Sequence, residues 1–333
     1  MMTLSPSRIL FMFTLLLGAF IALSSPSWFS AWLGLELNLL SFIPLISSKS
    51  NIYSSEAALK YFLIQALGSS IILASSPALL LFSLKPNFMI LCALLLKMGA
   101  APVHFWFPSV MQGIGWLQCI MLMTIQKIAP MLMLSYLSIS SMTYIVFVSS
   151  MMSALVGSLG GLNQTLMRKI MAYSSINHMA WMLAAIYFST PMWINYFMIY
   201  SIVTSSVVSI MHSQQIFHFK QTSSLTHQST LTKITVFFAM LSLGGLPPFL
   251  GFLPKMMVIQ SLVNTKSLVW LSVLLFSALI TLFYYLRIIM TSLTLSAPKM
   301  KSSPTLPMNS TLMSISFINL SPLLSPLVVL LPF

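Results

Sequence analysis

Glu36, Lys97, Lys127 and Lys255 are ionisable side chains set inside long apolar stretches, away from the polar joints between them. Glu36 lies near the centre of Trp28–Ile46 and Lys127 near the centre of 117–137, each about 15 Å of helix rise from the ends of its stretch. An ion at bilayer depth costs on the order of 3 kcal/mol or more, so such groups persist mainly where they face a protein interior or water. Any one of them alone also suits a structural charge paired within a bundle, or a lysine reaching an interface. Taken together they point to a polar axis across a membrane plane. A carboxylate among amines whose protonation responds to burial and to neighbouring charge is equipment for moving protons or cations.

Composition sets the elements that must hold these groups. The 333 residues are 58% hydrophobic and 5% charged, with a mean hydropathy of +0.97, whereas a soluble domain carries about 25% charged residues. Apolar runs and their Pro, Ser, Lys and Asn breaks give about eleven spans, roughly 7–24, 27–47, 55–82, 87–115, 117–137, 143–161, 168–188, 191–217, 232–262, 267–293 and 310–331. The expectation is a single all-α polytopic membrane domain over 1–333. With loops assigned alternately to two sides, Arg8, Lys49, Lys60, Arg168, Lys169, Lys220, Lys233, Lys299 and Lys301 collect on one, and only Lys85 and Lys266 on the other. The basic side faces the matrix or cytoplasm. That places the N-terminus there and, with an odd number of spans, the C-terminus opposite. Arg287 lies near the matrix end of its span and is expected to snorkel.

Two spans carry glycine and proline inside them. Gly99, Pro102 and Phe107 repeat as Gly244, Pro247 and Phe252 at one constant offset, with Gly245 and Pro248 alongside. Proline deletes a backbone donor and clashes with the carbonyl four residues back, freeing polar groups that hydrocarbon cannot satisfy. Five spans separate the two motifs, so a repeat would run in opposite directions across the membrane, the inverted layout whose broken helices mark a midplane ion path. The expected halves are about 7–137 and about 143–293, followed by a C-terminal helix at about 310–331. Proline kinks are common in membrane helices, and a chance match of this length is the alternative.

The same sequence excludes several functions. A net charge of +13 is spread singly through apolar sequence rather than gathered on a basic face, so nucleic acid is not expected. The chain has no Asp and only two acids, Glu36 and Glu56, which removes carboxylate cages for Mg²⁺ or Ca²⁺ and paired-carboxylate hydrolysis. No phosphate-binding glycine motif occurs. Cys92 and Cys119 stand alone in apolar runs, and no metal site is expected. Arg8 leads directly into an apolar run, so no cleavable targeting segment is expected.

Gly244-Gly245-Leu246-Pro247-Pro248-Phe249, followed by Gly251-Phe252-Leu253-Pro254-Lys255, resembles the signature of the second antiporter-like subunit of respiratory complex I, the mitochondrial NADH:ubiquinone oxidoreductase. Asn163-Gln164-Thr165, the run from Arg168-Lys169-Ile170 to Ile176, and His178-Met179 match that family's loop and helix start. Lys97 with Pro102, His104, Phe105 and Trp106, the segment 32–36, and Gln126-Lys127-Ile128-Ala129-Pro130 match as well. These motifs run in family order from residue 32 to residue 255, and beyond about 290 the likeness fades.

The resemblance implies a membrane-arm subunit of an H⁺-translocating NADH:ubiquinone reductase, a proton-translocation module in inverted antiporter-like repeats. Redox chemistry would belong to other subunits, which would bind FMN, iron–sulfur clusters, NADH and ubiquinone; this chain would carry no cofactor. It implies the mitochondrial inner membrane, an N-terminus in the matrix and a C-terminus on the intermembrane side. Partners would be other membrane-arm subunits, including neighbouring antiporter-like ones, and lipids such as cardiolipin at the basic matrix face.

Residue by residue, Glu36 is similar to the early-helix glutamate that pairs with the broken-helix lysine, here Lys97. Lys127 resembles the connecting lysine of the axis, and Lys255 the lysine of the second broken helix. His104 and His178 stand at positions that line the axis in relatives; a lone membrane histidine also serves as a structural hydrogen-bonding group, while its ordinary pKa near 6.5 suits a relay. Two other readings use the same residues. A stand-alone cation/proton antiporter should migrate free of NADH dehydrogenase activity in native electrophoresis, and a purely structural subunit should tolerate a neutral residue at Lys255.

Overall fold

A segment in hydrocarbon has to satisfy its backbone donors and acceptors internally, and the α-helix is how one segment does so alone. The computed structural model describes residues 6–47, 51–78, 85–137, 143–222, 230–294 and 319. In chain order the helices are α1 Pro6–Ser24, α2 Trp28–Ile46, α3 Ile52–Ala78, α4 Lys85–Met98, α5 Trp106–Gly113, α6 Trp116–Met123 and α7 Ile125–Leu137. They continue as α8 Thr143–Leu162, α9 Met167–Phe188, α10 Thr190–Ser213, α11 Thr230–Gly244, α12 Phe252–Asn264 and α13 Leu268–Thr294. Local signals fix several starts: Ser27 and Ser30 form a reciprocal capping box on α2, and a proline occupies the first turn of α10.

Among the described residues, seven helices are long and apolar enough to cross a membrane, with α6 and α7 counted as one. The α9 helix is not among them although it has 22 residues; Arg168, Lys169, Asn177 and His178 lower its hydropathy, and packing covers nearly its whole circumference. The spans expected at 87–115 and 232–262 each contain two helices, with non-helical residues 99–105 and 245–251 between them. The span expected at 310–331 lies outside the described residues except for Asn319, as do Lys49, Lys299 and Lys301.

The chain divides into two compact units, Met1–Ser153 and Ala154–Phe333. In the first, α1 packs along α2 through glycine: a Cβ at Gly34 would stand 2.5 Å from the backbone nitrogen of Ala22, and one at Gly18 would stand 2.8 Å from that of Asn38. Small residues set the helix spacing there, as at membrane helix crossings generally. The α2 helix rests on α3, α3 on α4 and α5, and α7 on α1 and α4. In the second unit α9 is packed by α10, α12 and α13, while α11 lies against α10 and α13.

Arg287 is half-buried and reaches the end of α8. Its Nη1 donates to the carbonyl of Leu162 at 2.9 Å and its Nη2 to that of Gln164 at 3.1 Å, and the guanidinium lies 5.0 Å over the Phe219 ring. The last carbonyls of a helix have no intrahelical partner, and a planar fork satisfies two acceptors at once. Arg287→Lys keeps the charge and loses the fork, so stability should fall by about 1–3 kcal/mol. A thermal unfolding midpoint equal to that of the unsubstituted protein would remove this role.

Candidate functional site

A buried ammonium needs partners, and a break in a helix supplies them by freeing carbonyls. Lys97, Lys127 and Lys255 are 6%, 2% and 5% exposed, and each lies within about one turn of such a break.

In the first unit Lys97 occupies the last turn of α4. Gly99 follows with φ +72°, a left-handed conformation that glycine adopts without steric cost. Its N–H returns to the Leu96 carbonyl and that of Ala100 to the Leu95 carbonyl, both at 3.1 Å. Side chains take further carbonyls: the Trp106 indole donates to Leu96 at 3.0 Å, and the Gln65 amide to Lys97 at 3.1 Å. His104, in the same non-helical stretch, holds Nδ1 3.2 Å from the Pro102 carbonyl. Glu36 on α2 is half-buried, and its Oε2 has no hydrogen-bond partner among the described residues.

Lys127 follows a third break. Thr124 leaves helical geometry at φ −116°, ψ −80° between α6 and α7, and the Lys127 ammonium lies 4.9 Å from the centre of the Phe107 ring, a cation–π contact. Beside it Gln126 donates to Asn38 at 2.9 Å and accepts from the Tyr61 hydroxyl at 3.0 Å, joining α7 to α2 and α3. Glu36, Lys97, His104 and Lys127 therefore belong to elements of one unit. Neither the Thr124 break nor the Asn38–Gln126–Tyr61 chain follows from residue type or spacing. The available signal is Pro130, which leaves the Gln126 carbonyl without its in-helix donor.

In the second unit Lys255 stands in the first turn of α12. Its Nζ donates to the Gly244 carbonyl at 2.7 Å and lies 5.8 Å from the centre of the Trp181 ring. Gly245 again has φ +72°, and a Cβ there would stand 2.7 Å from the Lys255 Nζ. His178, one turn before Trp181 on α9, holds Nδ1 3.0 Å from the Tyr196 hydroxyl. It lines a small cleft together with Tyr200, Ser242, Gly251 and Pro254, the residue before Lys255.

The two glycine breaks match each other one residue away from the sequence motif. Gly99 to Leu96 and Ala100 to Leu95 correspond to Gly245 to Ser242 and Leu246 to Leu241. Gly99 thus pairs with Gly245 and Pro102 with Pro248, not with Gly244 and Pro247. The register follows the single left-handed residue in each break. The lysines fall on opposite sides, Lys97 before its break and Lys255 after.

The family described as "NADH:quinone oxidoreductase/Mrp antiporter, TM" matches residues 25–89 and 84–281. The NADH-ubiquinone oxidoreductase chain 2 of Anopheles gambiae is 46% identical over 291 residues, which is 85% of this chain and 84% of the relative. That of Lumbricus terrestris is 41% identical over 87% of this chain and 88% of its own length. Among solved structures, a chain of respiratory complex I from Thermus thermophilus shares the fold with a TM-score of 0.84 at 24% identity, covering 97% of this chain and 79% of that one. The family model over most of the chain and the relatives that match it show that the chain belongs to the NADH:quinone oxidoreductase/Mrp antiporter transmembrane family.

Proposed function

We propose that the chain is a core membrane-arm subunit of respiratory complex I in the mitochondrial inner membrane, a proton-translocation module that uses Glu36, Lys97, Lys127 and Lys255 with His104 and His178 beside them. The observation that carries this reading is that three lysines are almost fully buried, each at a break in a helix. The names of the relatives from Anopheles gambiae and Lumbricus terrestris support the assignment to the complex.

Burial disfavours an ammonium and a nearby carboxylate favours it. A displacement of Glu36 relative to Lys97 therefore switches that lysine between holding and releasing a proton. Repeated at Lys127 and Lys255, the same switch hands charge along the membrane arm. Electron transfer from NADH to ubiquinone, with FMN and the iron–sulfur clusters, takes place in other subunits.

In this reading residues 99–105 and 245–251 interrupt the broken helices of inverted antiporter-like repeats, about 7–137 and 143–293. They belong to a bundle of about eleven membrane helices, with the N-terminus on the matrix face and the C-terminus on the intermembrane face. Neighbours are other membrane-arm subunits, with cardiolipin at the basic face.

Lys97→Gln and Glu36→Gln test it in the assembled complex. Proton pumping should fall about tenfold or more, while NADH oxidation by an artificial acceptor stays unchanged. An unaltered ratio of protons to electrons would overturn the reading.

A further inference from the structure

A break in a helix exposes polar groups that something must satisfy, and in the second unit part of that task falls to a residue far along the chain. Asn319 is 0% exposed. Its Nδ2 donates to the Ser206 hydroxyl at 3.2 Å, its Oδ1 accepts from the Ser242 hydroxyl at 3.3 Å, and its backbone carbonyl accepts from the Leu250 N–H at 3.4 Å. These partners lie on α10, near the end of α11 and at the far end of the 245–251 stretch, so one residue spans both sides of the break. Ser242 is central to it: its carbonyl accepts from Gly245 at 3.1 Å, and Gly251 packs against the same carbonyl with no room for a side chain.

An amide inside an apolar bundle is tolerated where it finds hydrogen-bond partners, and two of the partners here, Ser242 and Leu250, stand on either side of the turn that leads to Lys255. The family match ends at residue 281, so Asn319 belongs to a part of the chain that the family pattern does not describe. We infer that Asn319 is a positioning residue, which holds residues 245–251 in the conformation that lets Lys255 reach the Gly244 carbonyl. The consequence for proton transfer rests on the relay reading above; the positioning does not.

The test uses the assembled complex carrying Asn319→Ala, with Asn319→Ser as a milder variant that keeps a hydroxyl. Amide hydrogen exchange over 245–251, read by mass spectrometry, should accelerate about tenfold in Asn319→Ala and less in Asn319→Ser, while exchange over α1 in the other unit stays unchanged. Ser242→Ala should accelerate the same amides, and the double variant should go no further than the larger single effect. Unchanged exchange over 245–251, or acceleration spread equally over α1, overturns the proposal.

Pumping then separates the two readings. Lys255→Gln and Asn319→Ala should each lower the protons moved per electron, and combining them should lower it no further than Lys255→Gln alone. A loss in Lys255→Gln with none in Asn319→Ala overturns the action through Lys255 and leaves the relay standing. No loss in Lys255→Gln overturns the relay, and the exchange measurement still decides the positioning.

Discussion

Lys127→Met is expected to leave the protein at least as stable as before and to stop it moving protons. Lys127 is 2% exposed, with its ammonium 4.9 Å from the centre of the Phe107 ring. A buried ammonium carries a desolvation penalty of several kcal/mol, of which a cation–π contact returns about 0.5–2 kcal/mol. Replacing the ammonium by an apolar side chain of similar volume removes that penalty together with the contacts that offset it. Methionine is unbranched and fills the space of a lysine stem. The thermal midpoint of the assembled complex should therefore hold or rise. Coupled proton transfer should fall on the order of a hundredfold, the usual scale for losing a proton-transfer group. A purely structural subunit predicts retained pumping, so the pair of measurements distinguishes a lysine kept for transfer from one kept for architecture.

The charges were the most legible part of this chain because apolar sequence makes them conspicuous. Glu36, Lys97, Lys127 and Lys255 can be picked out before any helix is drawn, and membrane thickness fixes helix length closely enough that 27–47 and 143–161 fall on α2 and α8. Gly99, Pro102, Gly245, Pro247 and Pro248 fall in the non-helical residues 99–105 and 245–251. What stayed hidden depends on packing between distant positions. Gln126 meets Asn38 across 88 positions and Ser242 meets Asn319 across 77, and one Asn or Ser in an apolar run looks like another until its neighbours are known. The break at Thr124 carries no glycine or proline at the break itself. The sequence motif sits one residue out of register with the two left-handed glycines because identical letters at Gly244 and Gly245 conceal which of them turns left-handed.

Those glycines give the second large effect, since three of them within eight positions should respond differently to the same added methyl group. Gly251→Ala should be the most damaging. Its backbone, at φ −67° and ψ −10°, suits any residue, but the new Cβ would run into the Ser242 carbonyl. The obstacle is backbone rather than the end of a flexible side chain, and Ser242 is also held by Gly245 and Asn319. Overpacking of this kind costs about 1–3 kcal/mol and sometimes more, and here it falls beside Lys255, so the yield of assembled complex should drop severalfold.

Gly245→Ala should be intermediate. The left-handed φ costs about 1–2 kcal/mol for a residue with a Cβ, and the methyl group meets the Lys255 side chain, which can swing away at the expense of its bond to Gly244. Gly244→Ala should be close to neutral, because the nearest atoms to its Cβ stand 3.7 Å away and alanine is the better helix former by about 1 kcal/mol. Assembly yield and thermal midpoint should therefore rank Gly251→Ala lowest, Gly245→Ala next and Gly244→Ala near the unsubstituted protein. Equal damage at Gly244 and Gly251 would mean that the close approach to Ser242 does not govern this break.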